Sequence, residues 1–224
     1  MKPKFAKEHI IGGIGLLLML YGHYLGLVAL PPEQMMGEVG RILYVHVPAA
    51  WITLVMFTLS FITALAFLIT GKKSFDWATV ATVEVGVLLN VLLLLLGSIF
   101  ARPTWGVWWD WDPRLTASAI MLLTFVSVLV LRSMVEDEQR RSLWTAVTTV
   151  VAYINIPITY FSVRWWRSVH QVQSSPDTVS DIFTFALRVN AFAMLFVGLW
   201  FVVRRWRIEK HRSILLTPPN LGEI

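Results

Sequence analysis

Residues 77–100 read WATVATVEVGVLLNVLLLLLGSIF, and only one side chain in that stretch, Glu84, carries a charge. About 20 consecutive apolar residues, rising ~1.5 Å each as a helix, cross the ~30 Å hydrocarbon layer of a bilayer. The stretch is far too long for an ordinary strand. Five other segments have the same character, roughly 10–30, 46–70, 116–131, 143–163 and 182–203. The pattern predicts an all-α polytopic membrane protein with six transmembrane helices, forming one integral domain over residues 1–224. The fourth segment is short and needs a few loop residues to reach across. Residues 10–30 follow MKPKFAKEH without a small-residue cleavage site, so they are expected to remain as the first span. Composition agrees: 56% of the 224 residues are hydrophobic and 15% charged, and mean hydropathy is +0.65. A soluble domain carries about a quarter charged residues.

Lysine and arginine set the expected orientation. Lys2, Lys4, Lys7, Lys72, Lys73, Arg132, Arg140, Arg141, Arg204, Arg205, Arg207, Lys210 and Arg212 fall on one side of the six-span scheme. Arg41, Arg102, Arg114, Arg164 and Arg167 fall on the other, and Arg188 lies within the sixth span near its outer end. Positive residues favour the cytoplasmic side, which predicts that both termini are cytoplasmic. The net charge of +5 is therefore read as topology and lipid contact rather than nucleic-acid binding. There is no cysteine, which excludes disulfides, Fe–S clusters, thiolate metal sites and covalent haem attachment through C-x-x-C-H. The sequence also has no phosphate-binding glycine loop, H-E-x-x-H or G-x-S-x-G. The expectation is a non-enzymatic protein, with any ATP hydrolysis supplied by another subunit.

The connection after residue 100 is unusual. Within a loop of about 102–116, Trp105, Gly106, Val107, Trp108, Trp109, Asp110, Trp111 and Asp112 read WGVWWDWD. Scattered tryptophans such as Trp51, Trp77, Trp144, Trp200 and Trp206 suit an interfacial belt. Four packed together can also form a flat stacking surface, and a helical turn would put Trp105, Trp108 and Trp109 on one face. Anchor and ligand platform both remain open on this reading, with a porphyrin the natural planar ligand. Asp112 followed by Pro113 has the signature of an N-cap and first helical residue.

The six-span scheme puts two histidines on the same side as this loop. His46 opens the second span beside Pro48, and His170 follows Arg164, Trp165, Trp166 and Arg167. Neutral imidazole is a common axial ligand of haem iron. Arginines on that side, Arg102, Arg114, Arg164 and Arg167, could pair with anionic propionates. His9 and His211 lie on the opposite side, and His23 reads as a packed histidine within the first span. Glu84, Asn90 and Asn155 read as helix–helix hydrogen-bonding groups, with Asn155 and Pro157 bending the fifth span.

TWGVWWDWDPRLT (104–116) resembles the WWD signature of proteins that handle haem in cytochrome c maturation. LYVHVPAAW (43–51) and NIPITYFSVRWWRSVHQ (155–171) resemble the two histidine segments of the haem exporter protein C family, CcmC. The resemblance covers nearly the whole chain. Val172 stands where the family often has glycine.

The resemblance implies a multi-pass protein of the bacterial inner (cytoplasmic) membrane. It implies that haem b is held transiently at the periplasmic face, with His46 and His170 as axial ligands. Trp105, Gly106, Trp108, Trp109, Trp111 and Asp112 would form the docking loop. Its implied partners are the periplasmic haem chaperone CcmE, the ABC transporter subunits CcmA and CcmB, and the small membrane protein CcmD. Two other readings remain at this point. A b-type electron-transfer protein would place more histidines within its spans, and a scaffold subunit of an ABC-type transporter would use the tryptophans as anchors.

Overall fold

The computed structural model describes residues 8–34, 36–170 and 180–216; Lys2, Lys4, Lys7 and Val172 lie outside the described residues. Helix α1 (Glu8–Tyr24) ends in a π-helical turn, Leu25–Ala29. A 3-10 turn, Glu38–Ile42, leads into α2 (Leu43–Thr70), which is followed by α3 (Lys73–Trp105) and α4 (Pro113–Met134). The fifth span is a bent pair, α5 (Glu138–Ala152) and α6 (Asn155–Trp165), and α7 (Asp181–Leu216) completes the bundle. Six of these units are long and apolar enough to cross a membrane.

The spans extend beyond their apolar runs. The second starts before His46, so His46 sits inside the helix rather than opening it, and α2 continues through Pro48. The third continues past residue 100 to Trp105, placing Arg102 and Trp105 on the helix. The fourth recruits Pro113–Leu115 at its start. The Trp-rich connection is thereby shortened to residues 106–112, which are not helical. Trp105, Trp108 and Trp109 consequently do not share a helical face. Gly106, at φ +81°, ends α3 and reverses the chain; its N–H donates to the Arg102 carbonyl at 3.1 Å.

Inside a bilayer, apolar side chains gain little by leaving lipid, so close backbone approach and interhelical hydrogen bonds hold the helices together. Helix α1 packs along α7, and α2 packs along α3. A Cβ on Gly15 would meet Val197 at 2.9 Å, and Asn190 Nδ2 donates to the Gly22 carbonyl at 3.0 Å. Phe57 of α2 stacks on Phe125 of α4 with ring centroids 3.6 Å apart, over the space left by Gly86. Asn90 donates to the Ser118 carbonyl (3.4 Å) and Asn155 to Thr124 (3.3 Å), both across helix pairs as expected. Tyr153 and Ile154 separate α5 from α6 just before Asn155 and Pro157. His23 bonds the Met19 carbonyl of its own helix at 2.8 Å, and Arg188 is exposed on α7.

The two ends of the bundle differ chemically. At one end, Arg132 (α4) makes two hydrogen bonds to Asp76 (α3), at 2.7 and 3.1 Å, and reaches Glu209 (α7) at 3.5 Å. Arg205 pairs with Glu209 and with Glu84, Lys73 with Glu138, and Arg207 with Glu8. The described members of the larger basic set belong to this charged end. The other end carries the Trp-rich connection.

Candidate functional site

Asp112 is the first residue to place. Its Oδ1 accepts from the backbone N–H groups of Arg114 (2.9 Å) and Leu115 (3.4 Å), and Pro113 occupies the first helical position. This is the N-cap legible in the sequence. The carboxylate does more than cap, however. Oδ2 accepts from the Val169 N–H at 2.8 Å, and Oδ1 lies 3.2 Å from His170 Nδ1. The aspartate side chain is only 2% exposed. Burial alone would raise its pKa, but donors from Ser168, Val169 and Arg114, with His170 alongside, hold it below the ordinary carboxylate value.

His170 is therefore fixed from several directions. Its backbone N–H donates to Ser168 Oγ at 3.0 Å, and Trp105 meets its ring edge-on, centroids 5.2 Å apart at 69°. Burial lowers the imidazole pKa below 6.5; the nearby Asp112 opposes this and Arg114 adds to it. The ring is accordingly neutral near pH 7, the form that binds metals.

His46 approaches from α2. A Cβ on Gly97 of α3 would lie 3.1 Å from His46 Cε1, so the bare glycine lets the ring lie against α3. The Leu93 carbonyl faces the ring, and Nδ1 is sealed from solvent. His46 and His170 lie within electrostatic reach of each other, and Arg114 acts on both.

The tryptophans frame this pair. Ser98 Oγ donates to the Trp108 carbonyl at 2.5 Å, and Arg102 donates to the Gly106 carbonyl, so both pin the loop to α3. Trp109 is half-buried and meets Trp111 edge-on at 6.0 Å; Trp108 and Trp111 are exposed, as are Trp165 and Trp166. Of the four arginines, Arg114 sits inside the cluster. Arg167 lines a cavity of about 360 Å³ with Trp111 and Asp112. Arg102 is committed to its loop contact, and Arg164 is exposed on the last turn of α6. The sequence reading missed Gly97, Ser98 and Ser168. It also missed the second role of Asp112, whose only signal was that an N-cap uses one carboxylate oxygen and leaves the other free.

A family model described as heme exporter protein C matches residues 5–215. The chain belongs to the heme exporter protein C family. A relative of that name from Bradyrhizobium diazoefficiens is 34% identical over 88% of this chain and 76% of its own length. Another from Haemophilus influenzae is 30% identical over 87% and 80%, and one from Escherichia coli K12 is 28% identical over 81% and 77%. The CcmC match covers both histidines, the Trp-rich loop and all seven helices up to Leu215, so the two ends of the bundle fall within the family together.

Proposed function

We propose that the protein binds haem transiently at the end carrying the Trp-rich loop and hands it on during cytochrome c maturation. One observation carries this reading. A carboxylate-braced neutral His170, a buried His46 ring faced by the Leu93 carbonyl and an indole against the His170 ring converge from three distant segments. Two imidazoles suit the axial positions of an iron whose other four ligands come from the porphyrin. The exposed indoles supply a stacking surface, and Arg114 and Arg167 are the best-placed cations for propionates. Gly106 and Asp112 shape the loop that presents them.

On this reading the loop end faces the periplasm, the charged end faces the cytoplasm, and the protein resides in the bacterial inner membrane. The cargo is haem b and its acceptor is the chaperone CcmE. The protein performs no catalysis itself. CcmA and CcmB supply ATP hydrolysis, and CcmD completes the assembly. The excess of basic side chains at the charged end supports the orientation.

The test is the visible absorption spectrum of the purified protein beside His46→Ala and His170→Ala. A low-spin bis-histidine spectrum, weakened about 10-fold or more in haem retention by either change, is the expected result. Equal haem content in all three proteins would remove the ligand assignment. A haem-free wild type under haem-replete expression would favour a scaffold role.

A further inference from the structure

We propose that Asp112 is the positioning residue for His170: its buried carboxylate holds the imidazole with its proton on Nδ1 and its lone pair on Nε2, in fixed register with the Trp-rich loop. The role of that lone pair rests on the haem-binding reading above; the positioning itself does not.

Three features carry the inference. The first is the number of donors. A helix N-cap asks for one acceptor, and asparagine or serine would serve as well as aspartate. Here the side chain accepts from Arg114 N, Leu115 N, Val169 N and His170 Nδ1, using both oxygens. Only a carboxylate offers two oxygens that both accept. An asparagine in the same rotamer would turn an N–H₂ group toward one set of these donors.

The second feature is the sign of the interaction. An ionised carboxylate cannot donate, so the 3.2 Å contact requires the proton to be on Nδ1. The neutral ring then presents an unprotonated Nε2, as in the carboxylate–histidine–metal arrangement, where the outer carboxylate fixes both tautomer and orientation.

The third is the mechanical link. Asp112 closes the loop that follows Trp105, and Trp105 packs against the same imidazole at 5.2 Å. Ser168 holds the histidine backbone from the other side. Loop and ligand therefore move as one unit. His46 is faced by the Leu93 carbonyl rather than by a carboxylate.

The experiment uses the full-length haem-free chain in nanodiscs, labelled with ¹⁵N-histidine. There are five histidines, and His170→Asn identifies the His170 signals. The expected wild-type result is a neutral ring protonated at Nδ1. Asp112→Asn is expected to shift His170 toward the Nε2–H tautomer while α4 stays helical, because asparagine still caps. With haem added, the same variant is expected to lose retention about 10- to 100-fold and to raise the haem midpoint potential. Asp112→Ser, which caps without a carboxylate, repeats the test should Asp112→Asn fold poorly. An Nε2–H ring in the wild type overturns the proposal. So does a tautomer unchanged in both variants. The haem reading fails separately, if His170→Ala retains haem at the wild-type level.

Discussion

A Cβ placed on Gly97 comes within 3.1 Å of His46 Cε1. A larger branched side chain there must push the imidazole away from α3. Gly97→Val is therefore expected to lower haem retention while helical content, read by circular dichroism, stays at the wild-type level. His170 makes the complementary prediction in pH. Burial holds its folded pKa below 6.5, so in the window between the two values the unfolded chain binds the extra proton. Folding of the loop end is then supported above pH 6.5 and loses that support as pH falls below it. An NMR titration should find the His170 midpoint below 6.5; a midpoint above it would contradict the burial seen here. At this scale the sequence was partly legible. Residue type marked His46, His170 and Asp112. The contacts of Gly97 and Ser98 depend on how α3 lies against α2 and the loop, which no local pattern encodes.

The connection between α3 and α4 was legible as a connection but not in its shape. Hydropathy locates the membrane crossing, whereas backbone hydrogen bonds locate helix ends, and α3 runs to Trp105 through Arg102 and Pro103. The chain turns at Gly106, where φ +81° suits glycine and strains other residues. Gly106→Ala is expected to cost about 1–2 kcal/mol through the left-handed backbone, visible as a lower thermal midpoint. Replacing Trp108 and Trp109 together with alanine should act differently. Trp108 is exposed and Trp109 only half-buried, so membrane insertion should be preserved while haem delivery to the chaperone falls. Normal delivery would return these indoles to a role as interfacial anchors. The fifth span follows the sequence more closely: Asn155 and Pro157 mark the break between α5 and α6.

Across the whole molecule, binding chemistry gathers at one end and ion pairing at the other. The side chains of Asp76 and Arg132 are 4% and 11% exposed, so removing one leaves the other charged and buried. Arg132→Met is expected to destabilise the bundle by about 3–5 kcal/mol. The haem affinity of the folded fraction should not change, because among the described residues no hydrogen bond or ion pair joins Asp76, Arg132 or Glu209 to His46, Asp112 or His170. Thermal unfolding and haem titration of the same variant separate these effects. Periodicity and charge gave the six spans and the two ends, since both leave a one-dimensional trace. The pairing of Asp112 with His170 spans 58 residues and leaves none. That separation also imposes an order in time. A ribosome adding about 5–20 residues per second needs roughly 3–12 s to travel from one member of the pair to the other. During that interval Asp112 can already cap α4, because those bonds are local, while the place for His170 stands empty. The end that carries the Trp-rich loop thus forms only when the fifth span is in place. Glu209 arrives later still, so its ion pairs with Arg132 and Arg205 at the charged end form after that.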